Sequence, residues 1–274
     1  MLLPQDFFDL KDFDHQPLFA KEEAVWTALD RLPDYLASFF RQPWPLSGIT
    51  GPVDRALVIF QGEVRDDLEV TFTGPKQSMA VYRKGDILAG ASVILPGAFL
   101  CNDQILIGSG TVIEPGAFLK GPAIIGNDVE VRQGAYVRGD CLVGHRSVVG
   151  HTTEMKGSIL LDGAKAAHFA YVGDSILGRE VNLGAGTKLA NLRVIPGDIT
   201  ITADRKRFKT GRRKLGAVLG DGTETGCNSV TSPGTLLGPQ SIVYAGVAVP
   251  GGYYPRKTCI SPVHGSLRIR SPKE

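Results

Sequence analysis

Histidine is the side chain best suited to moving a proton near neutral pH, and the placement of two histidines in this chain invites that chemistry. His168 interrupts "GAKAAHFAYVGDSILG" (163–178), a run otherwise dominated by small and aliphatic residues, and His151 precedes it by 17 positions. A second chemical feature lies downstream. Residues 205–214 hold Arg205, Lys206, Arg207, Lys209, Arg212, Arg213 and Lys214. Such a cluster suits phosphate groups if it is thrown out as a loop beside a site, or it is simply a solvated basic segment. With only Phe208 available to stack on bases, it is a poor nucleic-acid surface.

What must position these residues is a repeat. Stepping by six gives Ala89, Leu95, Cys101, Ile107, Ile113, Leu119, Ile125, Val131, Val137, Val143, Val149, Met155 and Leu161. Four places after each hit comes a second, compact residue: Thr111, Ala117, Ala123, Val129, Ala135, Cys141, Ser147, Thr153. The register slips by one at Leu161 and Val172, then resumes at Leu219, Thr225, Thr231, Leu237, Val243 and Val249. Neither a helix, with period 3.6, nor a strand, with period 2, explains a strict six. A short strand plus a turn does, with three units closing an 18-residue triangular coil. About 24 units make about eight coils and a prism roughly 38 Å long, taking 4.8 Å per coil. In this frame His168 sits two places after the inward Ala166 and His151 two after Val149, so both rings face outward on adjacent coils.

Composition sets the limits. The chain of 274 residues, 43% hydrophobic and 21% charged, fits a globular protein. A net charge of +2 supplies no global field toward nucleic acid or anionic membrane. Apolar runs are far too short to span a bilayer, and "MLLPQDFFDLKDFD" lacks the basic start of a signal peptide. Cys101, Cys141, Cys227 and Cys259 form no CxxC pair, which reads as reduced thiols and a cytoplasmic protein. The 34 Gly and 17 Pro imply many tight turns. Residues 1–85 stand outside the repeat. There "KEEAVWTALDRLPDYLASFF" (21–40) predicts a helix or helix pair interrupted at Pro33, with Ala24, Val25, Leu29, Leu32, Leu36 and Phe40 on its apolar face. The expected organisation is a helical or mixed N-terminal cap or oligomer contact (1–85), a repeat domain (86–255) extruding a basic loop (194–214), and a tail (256–274).

The pattern resembles the hexapeptide-repeat, left-handed parallel β-helix family, and this resemblance implies an all-β, single-stranded left-handed parallel β-helix. More specifically, "VRGD" (137–140), "EMK" (154–156) and "AAHFAYVGDSILGREVNLGAGTKLAN" (166–191) are similar to the acetyltransferase domain of bacterial glucosamine-1-phosphate acetyltransferase/uridylyltransferases. "ANLR…TGRRKLGAVLGDGTETG" is similar to the archaeal-type bifunctional sugar-1-phosphate nucleotidylyltransferase/acetyltransferases. The resemblance covers roughly residues 87–255 and implies acetyl transfer from acetyl-CoA to an amino-sugar 1-phosphate. It casts His168 as general base. It gives Arg138 and Lys156 the sugar phosphate, and Tyr171 and Asn182 the sugar. Asn191 and the backbone N–H of Ala185 become donors at the acetyl carbonyl, where oxyanion charge develops. It also implies a homotrimer with sites between neighbouring prisms, acetyl-CoA as co-substrate, and no tightly bound cofactor or metal.

There are departures. Leu192 stands where the bacterial enzymes have an aromatic residue, and Arg193 replaces a lysine common nearby, leaving Lys206 or Lys209 as substitutes. Residues 1–85 carry no "GGxGTRL"-type loop, so nucleotidylyl transfer is not expected of this chain. Two other readings stay open. A γ-class carbonic anhydrase holds zinc through histidines from two subunits, and His145, His151 and His168 all occupy the same outward place in their units; the spacing of six between His145 and His151 departs from that family's five. The other is a non-catalytic trimeric partner for a separate nucleotidylyltransferase.

Overall fold

The computed structural model describes all residues except 1, 66, 73–78, 204, 264–265 and 271–274. From Ser92 to Val263 the backbone winds as a parallel β-helix of short strands whose three flat sides belong to sheets of nine, twelve and eight strands. The expected all-β, single-stranded parallel coil is therefore the fold. It runs on through Cys259–Val263, which pairs in parallel with Ile242–Val243 beyond the boundary anticipated at 255.

The six-residue period is the signature of inward columns. Ile113, Val131 and Val149 stand directly above one another at intervals of 18, and Ala166 follows Val149 at 17. All are buried to within 1% exposure. The compact positions are buried too, and those carrying hydroxyls spend them on carbonyls at the corners. Thr111 donates to Gly126 O at 2.7 Å, Ser147 to Leu161 O at 3.0 Å and Thr153 to Ala166 O at 2.9 Å. Buried hydroxyls are tolerated here because each has an acceptor. Buried Cys141 behaves as another small apolar residue, its thiol pushed up to about 12 by burial.

Several local counts differ from a strict six. Ile94 pairs with Ile113 and Leu100 with Leu119, intervals of 19. The inward residues of the first coil are thus Ile94 and Leu100, whereas Cys101 is exposed. The additional residue lies between Leu100 and Ile105, because Ile105 and Ala123 are already back at 18. There the Asn102 side chain accepts from Gly121 N at 2.7 Å and donates to Gly121 O at 3.2 Å, satisfying a backbone that the irregular corner leaves unpaired. Later, five-residue steps fall between Met155 and Leu160, between Val172 and Leu177, and between Val249 and Tyr254, so the coils there shorten to 17. Leu160 takes the inward place, paired with Val143, and Leu161 turns to the outer core.

The outer surface of the eight-stranded sheet is apolar, with Ile124, Leu142, Ile159, Ile176, Val218 and Leu236 buried there. What covers it is the N-terminal segment. Phe7, Phe8, Phe13, Leu18 and Phe19 join this cluster, followed by one helix, Ala28–Ser38, which buries Ala28, Leu29, Leu32 and Leu36. Pro33 lies inside that helix rather than breaking it. It sits on the exposed side, and Phe40 packs against Trp44 at 5.0 Å instead of on the helix face. The excursion at 194–214 also returns to the prism. Thr200–Ala203 and Lys206–Lys209 form an antiparallel hairpin whose Ile201 is fully buried in the same outer core. At both ends of the coil, antiparallel strands cover the sheet edge: Leu57–Phe60 on Ser92–Ile94, and Ser266–Arg270 on Cys259–Val263.

This core makes two predictions about stability. Among the described residues, Thr231 Oγ1 is the buried side-chain polar atom without a hydrogen-bond partner. Thr231→Val keeps the shape and removes the orphan, so it should stabilise by about 1 kcal/mol, seen as a higher urea midpoint; a lower midpoint would refute the account. The second concerns His15, whose Nδ1 lies 2.9 Å from Tyr35 Oη under the N-terminal segment. Burial lowers its pKa first, with His145 adding to the effect and Asp14 and Asp162 opposing it. A depressed histidine contributes stability that is complete above its unfolded value of about 6.5 and lost as pH falls toward the folded value. Urea unfolding at pH 7.5 and 5.5 should show a larger acid loss in the native chain than in His15→Gln. Equal losses would remove His15 from the explanation.

Candidate functional site

Two corners border the nine-stranded face, and the residues singled out by sequence divide between them. At the corner leading in from the twelve-stranded face, His151 and His168 stand side by side in paired strands. Ala185 follows one coil on, where Gly186 N donates to His168 O at 2.9 Å. Adjacent coils approach closely here: a Cβ on Gly150 would sit 1.8 Å from the Ala167 carbonyl oxygen, so only glycine fits. His151 Nδ1 lies 2.9 Å from the Gln133 carbonyl oxygen. An acceptor-only carbonyl puts the proton on Nδ1, which fixes that ring. His168 is exposed. Beside both rings is Phe169, 5.2 Å from His151 and 6.3 Å from His168 between centroids, 54% exposed and held at φ 51°. Equivalent turns in the two adjacent coils carry Thr152, also in the left-handed region at φ 48°, and Gly186. Left-handed corners occupied by non-glycine residues recur along the coil, as at Asp128, Arg146 and Thr152, and among the described residues Phe169 is the aromatic one.

The face itself carries a lateral row of side chains: Tyr136, Glu154, Tyr171 and Lys188, in direct register. Arg138 pairs with Glu154 at 2.5 Å and lies over the Tyr136 ring, 5.6 Å from its centroid. Tyr171 is half-buried, and its hydroxyl pKa is raised by burial first, then by the carboxylates of Glu154 and Asp174. Gly173 leaves the room these groups need. A Cβ there would meet Tyr171 Oη at 2.6 Å and Asn191 Nδ2 at 2.8 Å.

At the far corner of this face a polar cluster closes around Asp174, which is 7% exposed. Asn191 Nδ2 donates to Asp174 Oδ2 at 2.5 Å, and Lys156 Nζ is 3.4 Å from both carboxylate oxygens. Arg212 Nη2 lies 3.9 Å from Oδ1. The Asp140 carboxyl is raised by burial, with Lys156 opposing and Asp174 adding to the rise.

The structure therefore brings Lys156, Tyr171 and Asn191 together, with Arg138 nearby on the same face. It sets His168 and Ala185 at the other end of that face, with Ala185 six residues from Asn191 along the coil, roughly 20 Å by strand rise. Asn182 is exposed on the twelve-stranded face, paired with Lys165. Lys206 and Lys209 are exposed on the hairpin, and no hydrogen bond or ion pair among the described residues ties them to the cluster. Asp174 and Glu154 received no role from sequence reasoning, and Arg212, read there only as one of the 205–214 cations, is turned onto Asp30 and Asp174 instead. The signal was present for Asp174: it lies 17 before Asn191, one coil length of this region, and next to Gly173, the register partner of Lys156.

His145 does not join the other two histidines. It occupies the corner between the eight- and twelve-stranded faces, where Nδ1 accepts from Asn127 N at 2.8 Å and Nε2 lies 2.9 Å from Asp14 Oδ2. With both nitrogens committed it has no lone pair to offer a metal. Among the described residues, no three His, Cys, Asp or Glu side chains are placed to hold one. Nor, among them, is any helix long and apolar enough to cross a membrane.

Comparison with known proteins matches the same region. The GMPPB C-terminal domain family matches residues 119–206. A bifunctional sugar-1-phosphate nucleotidylyltransferase/acetyltransferase of Sulfurisphaera tokodaii is 39% identical over 104 residues, covering 38% of this chain and 26% of that protein. The bifunctional protein GlmU of Methanococcus vannielii is 41% identical over 101 residues, 37% of this chain and 24% of that one. Among solved structures, a UDP-N-acetylglucosamine acyltransferase from Campylobacter jejuni covers 65% of this chain and 74% of its own, at 19% identity and a TM-score of 0.33. This chain spans about a quarter of the length of the curated relatives it matches. Over somewhat more than a third of its own length, it is similar to bifunctional sugar-1-phosphate nucleotidylyltransferase/acetyltransferases.

Proposed function

We propose that this chain transfers an acetyl group from acetyl-CoA to the amino group of an amino-sugar 1-phosphate. One observation carries the reading: an exposed histidine on a rigid corner borders a face whose far side gathers Tyr171, Lys156 and Asn191 around a buried carboxylate. The match to the GMPPB C-terminal domain family, residues 119–206, includes this stretch of the chain. In the reaction, the amine nitrogen attacks the thioester carbonyl, a C–N bond forms, the C–S bond breaks and the coenzyme thiol leaves. His168 takes the proton released by nitrogen, assistance typically worth about 10²–10⁴ in rate. Asn191 Nδ2 and the Ala185 N–H supply donors where negative charge develops on the carbonyl oxygen. Arg138 and Lys156 hold the phosphate, with Lys206 or Lys209 as further cations, and Tyr171 and Asn182 contact the sugar.

The separation of His168 from Asn191 within one chain supports an assembly in which the two ends of the face serve different sites. A prism packed against a second prism brings one chain's His168 corner to its neighbour's Asn191 corner, and a ring of three closes this arrangement. The readings of a zinc hydratase and of an inert scaffold find less support. The first lacks His145, and the second leaves an exposed histidine beside a constrained Phe169 without a purpose.

Thiol release from acetyl-CoA, with glucosamine-1-phosphate, galactosamine-1-phosphate and a UDP-amino sugar supplied separately, tests the proposal. Turnover should appear with one of the sugar phosphates and fall by about 10²–10⁴ in His168→Ala. His151→Ala, whose ring is fixed on a carbonyl, should retain activity within a few-fold. Folded protein that releases no thiol with any acceptor would overturn the reading.

A further inference from the structure

The buried Asp174 carboxylate has no role in the chemistry above, yet it is the group around which that chemistry is arranged. As an acceptor it can receive only from donors, so the side-chain amide of Asn191 must present Nδ2 to it and turn Oδ1 away. One Nδ2 hydrogen is thereby fixed on Asp174, and the other has a defined direction over Gly173 beside the Tyr171 hydroxyl. Without Asp174 the amide could flip and present an oxygen where a donor is needed.

Asp174 is itself held. Its N–H donates to Lys156 O at 2.9 Å, and its φ of 46° puts it at a corner position that Asp and Asn tolerate. On its open side lies Arg212, whose side chain is only 16% exposed. Arg212 donates through Nε to Lys214 O at 3.0 Å and through Nη1 to Asp30, leaving Nη2 within ion-pair reach of Asp174. Asp30 lies in the first turn of the helix Ala28–Ser38. A chain of charge contacts therefore runs from the N-terminal segment to the amide at the far corner.

We propose that Asp174 is a positioning residue that sets the orientation of the Asn191 amide, and that Arg212, anchored on Asp30, holds Asp174 in place. The proposal rests on the acetyl-transfer reading for its consequence in rate, though not for its geometry. It gives the N-terminal helix a part in the site: it supports the amide from behind.

The test uses the full chain. Asp174→Asn keeps the left-handed corner and removes the charge; it should lower kcat about tenfold or more, against the 10²–10³ lost when an oxyanion donor is deleted. KM for acetyl-CoA should stay within about twofold. Arg212→Gln and Asp30→Asn should each lower kcat a few-fold, Arg212→Lys should recover much of the loss, and the Arg212→Gln/Asp30→Asn pair should be no worse than Arg212→Gln alone, since both act through one contact. A second readout needs no turnover: the Asn191 side-chain amide resonance in protein labelled with ¹⁵N-asparagine. One Nδ2 proton should lie downfield in the native chain, lose that shift in Asp174→Asn and move in Arg212→Gln. An Asn191 resonance unchanged by Asp174→Asn, or an additive double variant, would overturn the proposal. If native protein acetylates no acceptor, the functional reading fails alone and the amide signal decides the positioning role.

Discussion

Everything in this molecule depends on one repeated requirement: the backbone of each coil must find its hydrogen-bond partners on the coils above and below. Parallel pairing spaces successive coils by about 4.8 Å, so every residue has a lateral neighbour fixed to within the coil length. Inward neighbours become aliphatic columns, and outward neighbours become rows in which chemistry can be assembled. Tyr136, Glu154, Tyr171 and Lys188 form such a row, although they are spread over more than fifty positions of sequence. The scaffold positions a side chain by its place in a register rather than by a network of its own.

A prism made this way has three sides, and the chain must account for each. Here the eight-stranded side is finished with aliphatic residues and covered by the chain's own N-terminal aromatics and by the hairpin, which share one continuous outer core. That packing delivers Asp30 and Arg212 to the same edge as Asp174. The nine-stranded side, by contrast, keeps its polar row uncovered. Packing on one face and chemistry on the next are thus linked through a single shared corner.

The inward columns were legible in the sequence because burial imposes the same demand at every step: a residue that fits between two others like itself. Ile113, Val131 and Val149 obey it, as do the compact Ala117 and Ala135. Simple counting failed where a corner changed length, since the extra residue before Ile105 leaves the hydrophobic rhythm audible but shifted by one. The pairing of His151 with His168 could be deduced, because only the 17-residue coil separates them. His145 could not be placed with the same rule: sharing a place within a six-residue unit says nothing about which of three corners the unit belongs to. The cluster around Asp174 was hidden for another reason. Its members come from three coils, the segment after the hairpin and a distant helix, and only the first three are related by the repeat. Pro33 misled because a proline on a solvent-facing flank can be absorbed in a helix that packing holds in place.

The excursion at 194–214 leaves the prism at Asn191 and is received back at Leu215, whose N–H donates to the Asn191 carbonyl at 3.0 Å. The columns resume as though nothing had intervened, with Leu177 paired to Leu219 and Leu189 to Thr231. To the stack, the insertion has no length. Its exposed positions can lengthen, shorten or change charge while the coils beneath keep their alignment, because closing a longer loop costs only slowly more entropy; Ile199 and Ile201, buried in the outer core, and Arg212, held on Asp30 and Asp174, are fixed points within it. The architecture thus separates two kinds of sequence: a ruler whose lateral pairing survives a coil one residue longer or shorter, and a graft at the Asn191 corner whose exposed positions can be rewritten at little risk to the fold.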